Sequence, residues 1–526
     1  MTREQLKVVF ASSLGTIFEW YDFFLYGSLV AILSTLFFPK QHETMALLSA
    51  LATFGAGFAV RPLGALVFGR IGDLVGRKRT FLVTIVVMGL STALIGLLPT
   101  FDTIGWWAPI LLVFLRLTQG LALGGEYGGA AIYVAEHAPT ERRGYQTSFI
   151  NATASTGFLL SILVILTCRL WIDETAFREW GWRIPFLVSV LLLAVSVYIR
   201  LQLQESPIFA ELRGAKRLSQ APIRESFGNA ANRRLVFIAV AVTASMTVVW
   251  YAAQFYAFVF LQATLKIDFQ TASILVGLAV MIGVPLHVVA GAMSDRFGRK
   301  PIMLAGMALG ALVLFPAFDR LIGLGNPQLA AARASVPVVL FAPPYRLFGG
   351  DETSGRADAL RDALTSRGVS YDTQPVPPDG TLSVIVGAEE VVEPTVELLH
   401  ATLNAAGYPE KSSLVPIRGP GDIDGPHMAI VLLIAFMILP AAMIYGPVAA
   451  FLVELFPTRI RYTSLSLPYH VTAGWLGGFL PLTAAAIVLF TGNVLAGLLY
   501  PVVITVASFV LSFLFMPETR GSDIRS

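Results

Sequence analysis

Gly69-Arg70-Ile71-Gly72-Asp73-Leu74-Val75-Gly76-Arg77-Lys78 lies between two long apolar runs and returns as Gly291-Ala292-Met293-Ser294-Asp295-Arg296-Phe297-Gly298-Arg299-Lys300. Gly69/Gly291, Asp73/Asp295, Gly76/Gly298, Arg77/Arg299 and Lys78/Lys300 match at a single separation of 222 positions, 291 less 69. Glycines, an aspartate and a basic pair between apolar segments read as a tight turn joining two membrane spans. Glycine permits a sharp reversal and close helix approach. The aspartate caps a helix start or pairs with a base, and the Arg/Lys pair marks the cytoplasmic side. Two copies at one offset imply duplication.

Composition reaches the membrane independently. The 526 residues are 55% hydrophobic and 13% charged, with a mean hydropathy of +0.70; soluble chains carry about 25% charge. Apolar stretches of ~20 residues recur, each long enough for a ~30 Å hydrocarbon core. A net charge of +3 accords with basic inner loops and gives no nucleic-acid signal. The only cysteine, Cys168, excludes an intramolecular disulfide and a cysteine-rich metal site. The first apolar stretch is too long for a cleavable signal peptide and carries Glu19 and Asp22.

Twelve spans are expected, at roughly 9–37, 47–69, 80–100, 108–134, 147–169, 183–201, 235–264, 272–293, 301–322, 428–453, 465–490 and 494–516. Basic residues cluster after spans two, four, six, eight and ten, which places both termini in the cytoplasm. The chain divides into an N-terminal six-helix half (1–201), a cytoplasmic linker (202–234), helices seven to nine (235–324), an inserted module (325–426), and helices ten to twelve with a tail (427–526).

A second repeat measures the insertion. Glu136-His137-Ala138-Pro139-Thr140-Glu141-Arg142-Arg143 recurs as Glu454-Leu455-Phe456-Pro457-Thr458-Arg459-Ile460-Arg461, 318 positions on (454 less 136). Taking 222 from 318 leaves 96 extra residues between Lys300 and Glu454. The polar stretch from about Gly325 to Gly425 holds them. Within it, 336–341, 369–374 and 382–386 read as strands, and 354–367 and 394–406 as helices, a βαββα module. Pro337 suggests that the first strand lies at an edge. Gly349-Gly350-Asp351 lacks the lysine and hydroxyl of a phosphate loop.

The repeated turn resembles the signature loop of the major facilitator superfamily, which follows the second and eighth helices there. The first copy departs at Leu74, where the second has Arg296. Gly15-Thr16-Ile17-Phe18-Glu19-Trp20-Tyr21-Asp22-Phe23, Arg61-Pro62-Leu63-Gly64, Arg116-Leu117-Thr118-Gln119-Gly120, Gly124-Gly125-Glu126-Tyr127 and Glu205-Ser206-Pro207 narrow the resemblance. They are similar to the metabolite:H+ symporter family, with its carriers of proline/betaine, shikimate, 2-oxoglutarate and citrate. The resemblance stops between about Asn326 and Pro426. It implies an all-α polytopic membrane protein with 12 transmembrane helices in two six-helix halves, the major facilitator fold. A small extracytoplasmic α/β insert would sit between helices 9 and 10. The implied function is proton-coupled symport of a small organic acid or zwitterion across the cytoplasmic (inner) membrane, with H+ as coupling ion and no cofactor.

Ionisable side chains inside spans are expensive and mark candidate sites. Glu19 and Asp22 lie at i, i+3 on span one, and Tyr26 continues their stripe. Span four carries Arg116, Gln119 and Glu126, the last two expected on one face; Arg61 lies in span two. Three acids against two bases suggest an ion-pair network with one carboxylate free to titrate, coupling proton to substrate. The resemblance implicates the acids of span one and the arginine of span four, hence Glu19, Asp22 and Arg116. Tyr26, Tyr251, Gln254, His287 and Tyr445 are candidates to line a cavity, and Tyr469 and His470 open span eleven. Gly69, Asp73, Gly76, Arg77, Lys78, Gly291, Asp295, Gly298, Arg299 and Lys300 are expected to gate. The competing reading is a static network that locks the N-terminal half.

No metal site, nucleotide motif or nucleophile–base pair stands out, which disfavours an enzyme or an ATP-driven pump. The expected partners are the lipid bilayer, a substrate of organic acid, amino acid or betaine class, and an extracytoplasmic partner for the insert; no nucleic acid is expected. A transporter-fold sensor using the outer module, and a facilitator or exporter independent of protons, are the alternatives.

Overall fold

The computed structural model describes residues 1, 3–39, 43–75, 77–201, 222–344, 352–376 and 381–524, without the side chains of 4, 43–45, 47, 72–75, 77–79, 81, 222 and 352. Gly76, Glu205, Ser206 and Pro207 fall outside the described residues, as do the side chains of Asp73, Arg77 and Lys78. Among the described residues, 11 helical segments are long and apolar enough to cross a bilayer. They are Gln5–Ser28, Leu48–Ile71, Trp107–His137, Thr140–Trp171 and Arg183–Leu201, then Ala230–Ala263, Phe269–Phe297, Arg299–Gly325, Gly425–Leu455, Thr458–Thr491 and Ala496–Phe515. A shorter apolar helix, Leu82–Leu97, stands where the third span is expected.

Two of these segments are interrupted where the candidate charges lie. Helix Glu43–Ala59 gives way at Val60 to helix Arg61–Val75. Pro62 has no N–H to donate, and its ring clashes with a carbonyl four residues back in a continuous helix, so the chain restarts at Arg61. Helix Trp107–Leu123 likewise stops and resumes as Tyr127–His137. Between them Gly125 N donates to Ala122 O at 3.0 Å and Glu126 N to Leu123 O at 3.3 Å, a tightened turn. The interruptions face each other. A Cβ on Gly64 would stand 2.0 Å from Leu121 O, and one on Gly124 2.2 Å from Arg61 O, so only glycine allows this approach.

The second copy of the repeated turn joins Phe269–Phe297 to Arg299–Gly325 through the single residue Gly298, at φ +104°. An L side chain resists that backbone. The Glu518 carboxylate accepts from Arg299 N at 2.9 Å and Lys300 N at 3.0 Å, satisfying two donors of the new helix.

The insert carries a four-stranded sheet in the order β2-β1-β3-β4: β1 Val338–Phe341, β2 Asp372–Gln374, β3 Ser383–Val386 and β4 Glu389–Val392. β1 and β2 pair in parallel, and the other neighbours are antiparallel. Helix Glu352–Ser366 makes the crossover from β1 to β2. Leu340, Val384, Leu360, Leu364, Leu399 and Leu403 are buried between the sheet and its two helices. Two expectations fail here. β1 is central rather than at an edge, which Pro337 permits because it precedes the strand and offers only its carbonyl, to Gly387 N at 2.8 Å. And β4, hidden by the acidic pair Glu389-Glu390, follows β3 through a short turn at Gly387, φ +65°.

The module rests on the ends of C-terminal helices. Tyr371 N donates to Gly492 O at 2.9 Å, Val494 N to Ser370 Oγ at 3.3 Å, Ser412 Oγ to Gly325 O at 2.5 Å, and Ile417 N to Thr271 Oγ1 at 2.9 Å.

Candidate functional site

Glu19 and Glu126 come together, but not on the arginines expected for them. Arg200, near the end of helix Arg183–Leu201, bridges the pair: Nη2 to Glu19 Oε1 at 2.6 Å and Nη1 to Glu126 Oε1 at 2.8 Å. Thr84 Oγ1 adds a donor to Glu126 Oε1 at 3.2 Å. All three ionic side chains are 3–4% exposed. Sequence reading passed over Arg200, because a basic residue at the inner end of a span reads as an anchor. The surplus of acids over bases was the available signal.

Asp22 belongs to a second chain of contacts. Its Oδ1 accepts from Ser189 Oγ at 2.5 Å, and the Thr92 hydroxyl lies beside it. Thr92 Oγ1 accepts from Gln119 Nε2 at 2.7 Å, and Gln119 Oε1 accepts from Arg116 Nη1 at 2.7 Å. Gln119 and Glu126 both face helix Arg77–Leu97, at Thr92 and Thr84, as the heptad spacing suggested, but they join different groups of contacts.

The arginines lean on rings instead of acids. Arg116 lies 4.2 Å from the Phe23 centroid and 4.6 Å from that of Tyr26, whose hydroxyl donates to Ala50 O at 3.1 Å. Arg61 lies 4.8 Å from Phe58 and 5.1 Å from Trp20. Both side chains are fully buried. Among the described residues, Arg61 Nε, Nη1 and Nη2 and Arg116 Nε and Nη2 have no hydrogen-bond partner. The expected five-charge network is therefore two separate groups plus a lone guanidinium.

The C-terminal half faces this guanidinium with neutral groups. Tyr251, Tyr445 and Tyr469 are its electrostatic neighbours. Tyr251 and Gln254 lie in a π-helical stretch, Tyr251–Tyr256. Among the described residues the Tyr251 hydroxyl, both amide atoms of Gln254 and both ring nitrogens of His470 lack partners. Tyr445 and Tyr469 share a hydrogen bond at 2.7 Å, and the Tyr469 ring stacks on Tyr127 of the other half at 3.7 Å. His287 is buried, with Nδ1 on its own helix at Gly283 O, 3.2 Å, and its ring 6.0 Å from Tyr445.

The repeated loops close the halves at one end. Asp295 accepts from Gly144 N at 2.9 Å and Tyr145 N at 2.7 Å, the start of helix Arg143–Trp171. Arg299 binds Asp295 at 2.6 Å and Glu454 at 3.1 Å, and Glu454 binds Arg143 at 2.9 Å. Arg461 reaches Glu136 at 3.5 Å. Gly144 and Gly291 abut, for a Cβ on Gly144 would sit 2.7 Å from Gly291 O. Lys300 Nζ donates to Phe513 O at 3.0 Å, and a Cβ on Gly69 would stand 3.6 Å from Thr463 Cα. At the opposite end a cavity of about 360 Å³ opens between the halves beneath the insert; Val30, Leu51, Phe258, Lys266 and Thr365 are among its walls.

The family model for "Sugar (and other) transporter" matches residues 7–225. The proline/betaine transporter of Escherichia coli (strain K12) is 37% identical over 320 residues, 59% of this chain and 64% of that protein. The chain thus spans somewhat under two thirds of the length of that relative. The alpha-ketoglutarate permease of the same organism is 34% identical over 329 residues, 62% of this chain and 75% of the permease. A solved structure of the major facilitator superfamily proton:xylose symporter XylE, bound to 6-bromo-6-deoxy-D-glucose, superposes with a TM-score of 0.65 at 18% identity, covering 99% of this chain and 98% of that one. At that identity the likeness speaks for the fold.

Proposed function

We propose, because this chain belongs to the major facilitator superfamily and to its metabolite:H+ symporters, that it is a secondary active transporter of a small organic acid or zwitterion driven by protons. Twelve crossings in two six-helix halves, with Leu82–Leu97 completing the first, would rock about a midplane site. The insert, residues 325–426, would lie outside the cell, and both termini inside, in the cytoplasmic membrane. Arg61 and Arg116 would receive the substrate's carboxylate, and Glu19, Asp22 and Glu126 would carry the proton coupling. The closed loops at Asp295 and Arg299 would be the inner gate.

The observation that carries this reading is Arg61. A guanidinium buried without an acid or a hydrogen-bond acceptor among the described residues is costly, and it faces polar atoms of the opposite half that have no described partner either. A bound anion would relieve that cost. The relatives support the substrate class through the small metabolites that they are named for.

The test is uptake into proteoliposomes under an imposed inward proton gradient, across a panel of organic acids, amino acids and betaines. Accumulation that a protonophore collapses, and that Asp22→Asn and Arg116→Ala lose, is the expected result. No uptake of any compound by well-inserted protein would retire the transporter reading in favour of a sensor.

A further inference from the structure

The geometry points to Glu19 and Glu126 as a shared proton site that is set by Arg200 and linked to the inner gate through Tyr462. This rests on the symport reading and says where its proton resides.

Two carboxylates meet one guanidinium, at 2.6 and 2.8 Å, and neither has another cation among the described residues. Glu19 Oε2 and Glu126 Oε2 have no hydrogen-bond partner among the described residues either. Two buried carboxylates this close to one another do not ionise independently. Among the described residues, the pair with both carboxylates ionised and its arginine would carry a net negative charge away from water. One proton on either carboxylate leaves a neutral acid beside a satisfied ion pair. Binding takes H+ from water onto a carboxylate oxygen, and release returns it to water; no electrons move.

The other titratable groups on the elements packed around this cluster turn elsewhere. Asp22 meets Ser189, Tyr21 meets Pro185 O, Arg61 meets Trp20 and Tyr127 meets Asn151. Glu136 and Arg143 belong to the gate. The side chains of Asp73, Arg77, Lys78 and Arg79 lie outside the described residues.

Glu126 sits in the turn between two helices rather than within one, so its place depends on what presses on that turn. The C-terminal half does so directly. The Tyr462 hydroxyl donates to Gly125 O, and a Cβ on Gly128 would fall 2.0 Å from Ser466 Oγ. Tyr462 follows Arg461, which is itself part of the closed gate. Opening the gate withdraws Tyr462 from Gly125, frees the turn, and moves Glu126 relative to Arg200. Tyr462 and Arg200 are thus positioning residues, and the two glutamates are the proton's carriers.

The test needs no substrate: infrared spectra of the full-length protein in lipid, titrated across pH, followed at the carbonyl band of a protonated carboxyl. Wild type should show such a band at neutral pH. Glu19→Gln and Glu126→Gln should each remove it, and Asp22→Asn should keep it. Tyr462→Phe, which leaves every charge in place, should move its midpoint by about half a pH unit or more. No band in wild type, a band lost in Asp22→Asn, or a band unchanged in both glutamine variants would each overturn the site. An unmoved midpoint in Tyr462→Phe would overturn the link to the gate. Should the glutamine variants fail to insert, wild type and Asp22→Asn decide alone. A band with no gradient-driven uptake would retire the symport reading while leaving the proton site standing.

Discussion

Glu454 and Arg143 lie 311 positions apart and meet at 2.9 Å, and this contact has a mirror image. Glu136, the counterpart of Glu454 in the other copy of the repeat, meets Arg461, the counterpart of Arg143. Each copy supplies the acid for the other's base, as a patch does across a two-fold axis. A duplicated chain gains a self-complementary closure with no new residue types.

Arg143→Gln should weaken that closure by about 1.5–3 kcal/mol, the range for a charged hydrogen bond, or about tenfold or more in population. A cysteine placed at Ser148 in a Cys168→Ser background should react faster with a water-soluble thiol reagent. An unchanged rate would show that the contact does not hold the loops shut.

Gly144→Ala acts on the same end by volume. Its Cβ would meet Arg299 Nη1 at 2.4 Å and Gly291 O at 2.7 Å, so the halves must separate there. Labelling at Ser148 should rise without loss of any charge. Equal labelling and equal thermal stability would mean that the backbone yields instead.

Arg61→Gln should trade function for stability. Among the described residues no ion pair is lost with this guanidinium, so its removal should stabilise the substrate-free protein by about 1–3 kcal/mol while weakening uptake. Thermal unfolding in detergent and initial uptake rates check the two signs. A lower melting temperature would place Arg61 among structural residues.

Gly492→Ala should loosen the insert. Gly492 has φ +69°, and a Cβ there would stand 2.1 Å from Tyr371 O. The left-handed backbone alone costs a non-glycine residue about 1–2 kcal/mol, before the clash. Faster proteolytic clipping within 345–380, with the helical core intact, is the expected outcome; clipping at the wild-type rate would contradict it.

The insert should also soften in acid. The Arg356 guanidinium beside Glu393 holds its carboxyl below the usual range; Asn404, then Arg367, do so for Glu410; and the backbone N–H groups of Arg418 and Gly419 do so for Asp422. Folded values below the unfolded ones mean a contribution that is complete above the ordinary carboxylate range of about 4. It is lost as pH falls through the lower folded values. Glu393 Oε1 accepts from Leu382 N at 3.0 Å, so amide exchange at Ser383–Val386 should quicken below about pH 4. Unchanged protection, after correction for intrinsic exchange, would count against it.

The helical frame was legible because apolar runs of bilayer length leave few alternatives, and because Asp295 and Arg299 repeat an earlier pattern. The buried ionisable residues could be named from the sequence, but their partners could not. Spacing placed Gln119 and Glu126 on one face but did not show their partners, which are Thr92 and Arg116 for the first and Thr84 and Arg200 for the second. Arg200 looked like an anchor, since whether a basic residue at a span's end turns outward or inward depends on its neighbours across the bundle. Glu454 served only to measure an insertion; its pairing with Arg143 is a relation between halves that no local pattern encodes. β4 was missed for a similar reason, its acidic pair masking a strand that depends on β3 for its partner.

The fastening of the insert has a mechanical consequence. Its described hydrogen bonds to the helical body, among them those to Lys266, Asp268, Gln270, Thr271, Gly325, Leu489, Gly492 and Val494, run to the C-terminal half. Whatever rotation that half makes, the module must follow as a passenger and sweep an arc over the stationary N-terminal rim. A fluorophore at exposed Glu389 and another at exposed Trp171 would then ride on different bodies. Their separation would report each turn of the cycle from outside the helices, without a probe inside the substrate path.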